Sequence, residues 1–270
     1  MLDSIVLDKC YLQGAGYSEI ESLSKRRSLV MSGALFYELL DTEAEKRARC
    51  FAKFPPTDNP VALVDHVSTL LQRELAQLRP CGKPSSNTID IRFQFNPALL
   101  NGSYELPHEA AEVMQLERQD LANESLSLVG LSETIESVFP GLRQGSDEQR
   151  LQRRYEAEAH IADCEWARMF YGQLSSPDPL SPFPDAALVG PEWAHLRWVQ
   201  VKLLFSLDLF IRYQGKLRNM LTNGVLERLE HDVHDAQALA LGVLEGALAT
   251  REEKIERWFK LLRPDGELVS

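Results

Sequence analysis

Acidic side chains stand at four places in this chain where local structure alone does not ask for them. Asp8 closes the apolar run Ile5-Val6-Leu7. Glu38 sits inside GALFYELL, with Leu35, Phe36, Leu39 and Leu40 around it. Asp232 and Asp235 lie three apart, which places them on one helix face about a turn from each other. Glu252 follows the short apolar segment GALAT. Carboxylates that converge on one site raise each other's pKa, and a divalent cation relieves the repulsion. Mg²⁺ and Mn²⁺ are hard ions that take oxygen ligands. Such an ion can activate a bound water and stabilise charge on a phosphoryl group. An oxygen-only donor set, with neither His nor Cys needed, points to phosphodiester cleavage rather than zinc hydrolysis.

The elements that must position these acids follow from the pattern of apolar residues. Residues 3–8 read as a short buried strand. YSEIESLSKRR then offers Ser18 as an N-cap, with Ile20 and Leu23 at helical spacing. SLVM is a second strand, and ALFYELLDTEAEKRARCFAKF reads as one helix ended by Pro55-Pro56. Strand, helix, strand, helix suggests parallel strands with crossover helices. Residues 60–79 read as a helix with Val61, Leu63, Val64, Val67 and Leu70 on its apolar side. NTIDIRFQF alternates and predicts a half-buried strand or extended arm. Residues 107–138 read as mostly helical and 147–173 as a charged helix. SSPDPLSPFPDAALVGP is a loop, and a long helix runs from Glu192 to Leu221, where Asn223-Gly224 breaks it. The end returns to the α/β style, with a helix through VLERLEHDVHDAQALALGVLE, the strand GALAT and the helix REEKIERWFKLL.

Three segments, taken in order, resemble the PIN-domain family of metal-dependent nucleases. IVLDKCYL is similar to the family's first strand with its aspartate, here Asp8. SLVMSGALFYELL is similar to its second strand and following helix, whose glutamate is here Glu38. HDAQALALGVLEGALATREEKI is similar to the helix carrying the third acid and the strand after it. The resemblance makes Asp235 the third acid, with Asp232 able to share or take its role. Thr250 becomes the hydroxyl of the turn, and Glu252 stands where the family usually has aspartate or asparagine. Lys9 and Cys10 replace the small hydroxyl residue and asparagine that usually follow the first aspartate. The implied fold is a three-layer α/β/α core around a parallel sheet, built from residues 1–48 and 224–270. Residues 49–223 would be a large, mainly helical insertion. The implied activity is endonuclease cleavage of single-stranded or structured RNA. Asp8, Glu38 and Asp235 would act catalytically, and Asp8, Glu38, Asp232, Asp235 and Glu252 would hold Mg²⁺ or Mn²⁺.

Composition bounds the alternatives. The chain has 270 residues, 44% of them hydrophobic, so a core can be buried. A net charge of −11 disfavours tight binding of nucleic acid over the whole surface, though not a local basic patch. Arg47, Arg49 and Lys53, and Arg143, Arg150, Arg153 and Arg154, are candidates for phosphate contacts, but acids lace both runs and a solvated face is the default. Trp193 and Trp198 are expected in a core or interface. No signal peptide or membrane span is expected, and four scattered cysteines predict free thiols in a reducing cytoplasm. A homodimer, or a protein inhibitor or other partner on the helical region, stays open. Two other functions compete. The His231-Asp232 pair is similar to that of HD-type phosphohydrolases, for which His66, His108, His160 and His195 could supply further ligands. A non-enzymatic interaction protein with a nuclease-like fold is the second. An aspartyl-nucleophile phosphatase would need an acid at position 10, where Cys10 stands.

Overall fold

Short apolar runs bounded by charges or turns form strands here because a parallel sheet is buried on both faces. In the computed structural model, which describes residues 3–57, 59–89, 99, 100, 103, 105, 108–174 and 183–270, five strands make one all-parallel sheet. They are β1 (Ser4–Leu7), β2 (Ser28–Ser32), β3 (Ala62–Val64), β4 (Ala247–Ala249) and β5 (Glu267–Val269), in the order β3-β2-β1-β4-β5. Val6 pairs with Val30 on one side and with Leu248 on the other. Eleven α-helices accompany the sheet among the described residues. The chain divides into two compact units, one of residues 1–70, 81–118 and 237–270, the other of residues 71–80 and 119–236.

The sheet belongs to the first unit, and its strands alternate between two buried faces. Ile5, Leu7, Leu29, Met31, Leu63, Ala247 and Ala249 join one core cluster. Four helices bring apolar residues into that cluster: α1 (Lys9–Gly14), α2 (Tyr17–Arg26), α3 (Gly33–Asp41) and α4 (Ala44–Phe51). Leu12, Ile20, Leu23, Leu39 and Phe51 are essentially inaccessible there. Val6, Val30, Val64 and Leu248 take the alternate positions and are equally buried. Gly242, in the helix before β4, packs against the Leu248 side chain, and a Cβ there would come within 2.9 Å of it. The result is the three-layer α/β arrangement expected from the sequence. Helix α5 spans Val67–Gln77, and α11 (Glu253–Leu262) connects β4 to β5.

The second unit is helical. It contains most of α6 (His108–Val138), then α7 (Asp147–Ala162), α8 (Cys164–Leu174), α9 (Ala194–Arg212) and the first part of α10 (Asn223–Glu245). Helix α9 is buried on nearly every side, with Leu196, Val201, Leu203, Leu204 and Phe205 almost inaccessible.

Several expected boundaries move, each for a local reason. The helix expected over 60–79 is a strand followed by α5, because Ala62–Val64 adds to the sheet edge beside β2. Gly16, not Ser18, caps α2, and the Gly16 amide donates to the Glu19 carboxylate at 2.7 Å. The helix expected after β2 divides at Thr42, which is extended and bonds its hydroxyl back to the Glu38 carbonyl. The charged helix of 147–173 breaks at Asp163, whose carboxylate accepts the Trp166 amide at 2.8 Å and caps α8. Helix α9 stops at Arg212 because Gln214 and Gly215 take left-handed conformations, and Asn223 begins α10 rather than breaking a helix. The strand β5 was not expected. Of NTIDIRFQF, Thr88 forms a single antiparallel bridge to Val64, and residues 90–98 lie outside the described residues. So do residues 175–182 of the proline-rich loop, while residues 183–193 form turns and loop.

Candidate active site

The carboxyl ends of parallel strands are where open α/β sheets place their sites. β1 and β4 are neighbours, so Asp8 and Thr250 emerge side by side, and the Asp8 amide donates to the Ala249 carbonyl at 3.0 Å. Asp8 is only 2% exposed. It caps α1 with Oδ1, which accepts the Lys9 amide at 2.6 Å. Oδ2 accepts the Thr250 hydroxyl at 2.7 Å and the Cys10 thiol at 2.8 Å. Two donors fill the lone pairs of Oδ2, and Oδ1 keeps one for a further partner.

Burial is the main influence on this carboxyl and raises its pKa. The bonds from Cys10, Thr250 and Lys9 oppose that rise, and the charge of Glu252 adds to it. Glu252, whose charge is the smallest of these influences, follows the end of the neighbouring strand β4. Its own carboxylate is half-buried and pairs with Lys254 at 3.2 Å, and its amide donates to the Thr250 hydroxyl at 3.3 Å. Burial and the Asp8 charge push the Cys10 thiol up to about 12, so it stays protonated and donates. The Arg251 amide donates to the same sulfur at 3.2 Å.

Glu38 reaches this edge from α3. Ser32 caps that helix, accepting the Leu35 amide at 3.1 Å. The Glu38 carboxylate is ion-paired with the Lys9 ammonium, and its side chain is 12% exposed. The residue after Asp8 thus holds the second acid of the expected set. Two further polar residues stand at the end of β3: Asp65, which the sequence did not single out, and His66, considered there only as an HD-type ligand. Gly33 makes room for the imidazole, since a Cβ there would lie 3.0 Å from His66 Nε2. The segment ALVDHV repeats the pattern of IVLDKC, an apolar run closed by aspartate, and that was the available signal.

Asp232 and Asp235 fall in the second unit. Asp232 is buried, and both its oxygens accept from the Arg212 guanidinium, at 2.9 and 3.2 Å. A cation at Asp232 would have to displace that fork. Asp235 is half-buried a turn later, and His231 is exposed. Of the other histidines, His195 is buried against Glu74 in the second unit, while His108 and His160 are exposed. Two of the arginines considered for phosphate contacts have structural partners. Arg154 bonds Glu158 and Asp208, and Arg153 bonds the carbonyls of Gly141 and Gln144. Trp193 and Trp198 are buried, as expected.

Among the described residues, no three His, Cys, Asp or Glu side chains stand close enough together to chelate a metal ion. The four cysteines are free thiols, and no helix among the described residues is long and apolar enough to cross a membrane. Comparison of the chain with protein-family models, curated proteins and solved structures returns no match.

Proposed function

We propose that this chain is a divalent-metal-dependent endoribonuclease with its acids at the carboxyl edge of the parallel sheet. One observation carries the reading: Asp8, only 2% exposed, stands beside Thr250 at the adjoining carboxyl ends of β1 and β4, with Glu252 two residues beyond. A buried carboxylate at a strand's carboxyl end, where open α/β sheets place their sites, suits a bound cation. The donor chemistry suits Mg²⁺ or Mn²⁺. Mg²⁺ is commonly held by only one or two carboxylates and keeps several waters, so a chelating trio is not required. Asp8 Oδ1 and the Glu252 carboxylate would hold the ion, with Glu38 able to join when Lys9 releases it. The bound ion would supply a Lewis acid and a water of lowered pKa.

The chain's own residues do the rest. Thr250 and Cys10 fix the Asp8 rotamer by filling Oδ2, while Oδ1 accepts the Lys9 amide at the α1 N-terminus and keeps one lone pair. The Lys9 ammonium, balanced at rest by Glu38, gives a backbone phosphate of the substrate a cation to meet. Asp232 and Asp235 belong to the second unit, and Arg212 engages Asp232 there. The substrate is RNA, and the cytoplasm is the compartment that suits free thiols.

The test is cleavage of a labelled single-stranded RNA in Mn²⁺ by the wild type, Asp8→Asn and Glu252→Lys. Both variants should lose activity while staying folded, at a urea midpoint lowered by the bonds they break. Full cleavage by Asp8→Asn would refute the assignment.

A further inference from the structure

The helical unit holds a cavity of about 460 Å³ that the nuclease reading does not use. Volumes of this size accommodate small organic molecules. Four helices each turn one face toward it. Leu71 and Leu75 lie a turn apart on α5, and Glu124, Ser127 and Leu131 share one face of α6. Phe170 and Leu174 come from α8. His195, Trp198, Val199 and Lys202 follow the i, i+3, i+4, i+7 spacing of one face of α9.

The polar groups on the walls are few and unequally satisfied. Glu74, fully buried, accepts the Ala194 and His195 amides at 2.7 and 3.0 Å and His195 Nδ1 at 2.8 Å. That wall is thereby fixed, with the α9 N-terminus and the imidazole held by one carboxylate. Glu124 and Lys202 are different. They form an ion pair at 3.7 Å, beyond hydrogen-bond reach, and Lys202 instead lies over the Trp198 ring, 5.5 Å from its centroid. Glu124 Oε2 is buried and has no hydrogen-bond partner. A buried acceptor left unsatisfied costs free energy that a ligand's donor would recover.

The charge balance selects the ligand. One acid and one base leave no net charge on the polar wall. An alkyl carboxylate would meet Glu124 as a like charge, and an alkylammonium would meet Lys202. A hydroxyl can donate to Glu124 Oε2 and accept from the Lys202 ammonium at once. We propose that this cavity binds a small neutral molecule with a hydrocarbon body and one hydroxyl group, seated between Glu124 and Lys202.

Three probes with the same chain and different heads test this directly: 1-octanol, octanoate and octylammonium, titrated into the full-length chain by calorimetry and tryptophan fluorescence. 1-Octanol should bind saturably and at least about tenfold more tightly than either ion. Ser127→Trp, at an exposed wall position, should abolish binding without disturbing the fold. Glu124→Leu should weaken 1-octanol about tenfold and leave octanoate unchanged or improved. Three outcomes would overturn the proposal: equal or tighter binding of octanoate or octylammonium, no saturable binding of 1-octanol, or 1-octanol binding that Glu124→Leu leaves intact.

Discussion

Replacing Thr250 with valine removes one hydroxyl and little volume from a side chain with no exposed surface. That hydroxyl donates to Asp8 Oδ2 at 2.7 Å and accepts the Glu252 amide at 3.3 Å. A hydrogen bond to a charged acceptor contributes about 1.5–3 kcal/mol, and the Glu252 amide also loses its acceptor, so a cost of about 2–3 kcal/mol is expected at neutral pH. The cost should depend on pH. Burial raises the Asp8 pKa above the ordinary value, so the native state keeps this proton to higher pH than the unfolded chain. The native state is therefore favoured at low pH, and that stability is lost as pH rises through the folded pKa. Removing Thr250 takes away one of the bonds that holds the pKa down, so it enlarges the loss. Once Asp8 is protonated, the missing bond is between neutral partners and the deficit should shrink to about 1 kcal/mol. Urea titrations of wild type, Thr250→Val and Thr250→Ser between pH 4 and 7 would measure this. Thr250→Ser keeps the hydroxyl and should lose only the methyl contribution of about 1 kcal/mol. A Thr250→Val deficit below about 0.5 kcal/mol at pH 7, or one that does not change with pH, would refute the account of Asp8.

Other expectations follow from the packing and the ion pairs. Gly242→Ala should destabilise by about 1 kcal/mol in thermal melts, because the clash with Leu248 outweighs the gain in helix propensity. A higher melting temperature would show that Leu248 repacks freely. Glu74→Ala should cost about 3–5 kcal/mol, since it strands His195 and two amides of α9, and hydrogen exchange should show the loss first in that helix. Asp232→Asn should lower the urea midpoint more than Asp235→Asn, because it breaks the bidentate pair with Arg212. Equal midpoints would show that the Arg212 pair adds nothing to stability.

The sheet was legible where an apolar run was closed by a polar residue. Ile5-Val6-Leu7 before Asp8, Leu29-Val30-Met31 before the Ser32 cap, and Ala247–Ala249 before Thr250 all met that condition. β3 has only three residues, and Val67 and Leu70 follow it at helical spacing, so periodicity merged strand and helix into one. That merger hid Asp65, and the place of His66 beside it, at the strand's end. β5 is also three residues long and only half-buried, too faint a signal for pattern alone. Asp8 and Glu252 were legible as strand-end acids. The Cys10 thiol that shares Asp8 Oδ2 was not, because the six-residue α1 that turns it back toward Asp8 leaves no periodic trace.

The pairing of β1 with β4 also sets a schedule for the nascent chain. Val6 and Leu248 are about 240 residues apart, so at roughly 5–20 residues per second the first strand leaves the ribosome some 10–50 s before its second neighbour. Through that interval β1 can pair only with β2, and the edge that β4 will cover presents unpaired backbone beside Ile5, Val6 and Leu7. A stop codon anywhere in α10 would therefore not yield a smaller stable domain. It would leave a three-stranded half-sheet, open along β1, that invites pairing between copies.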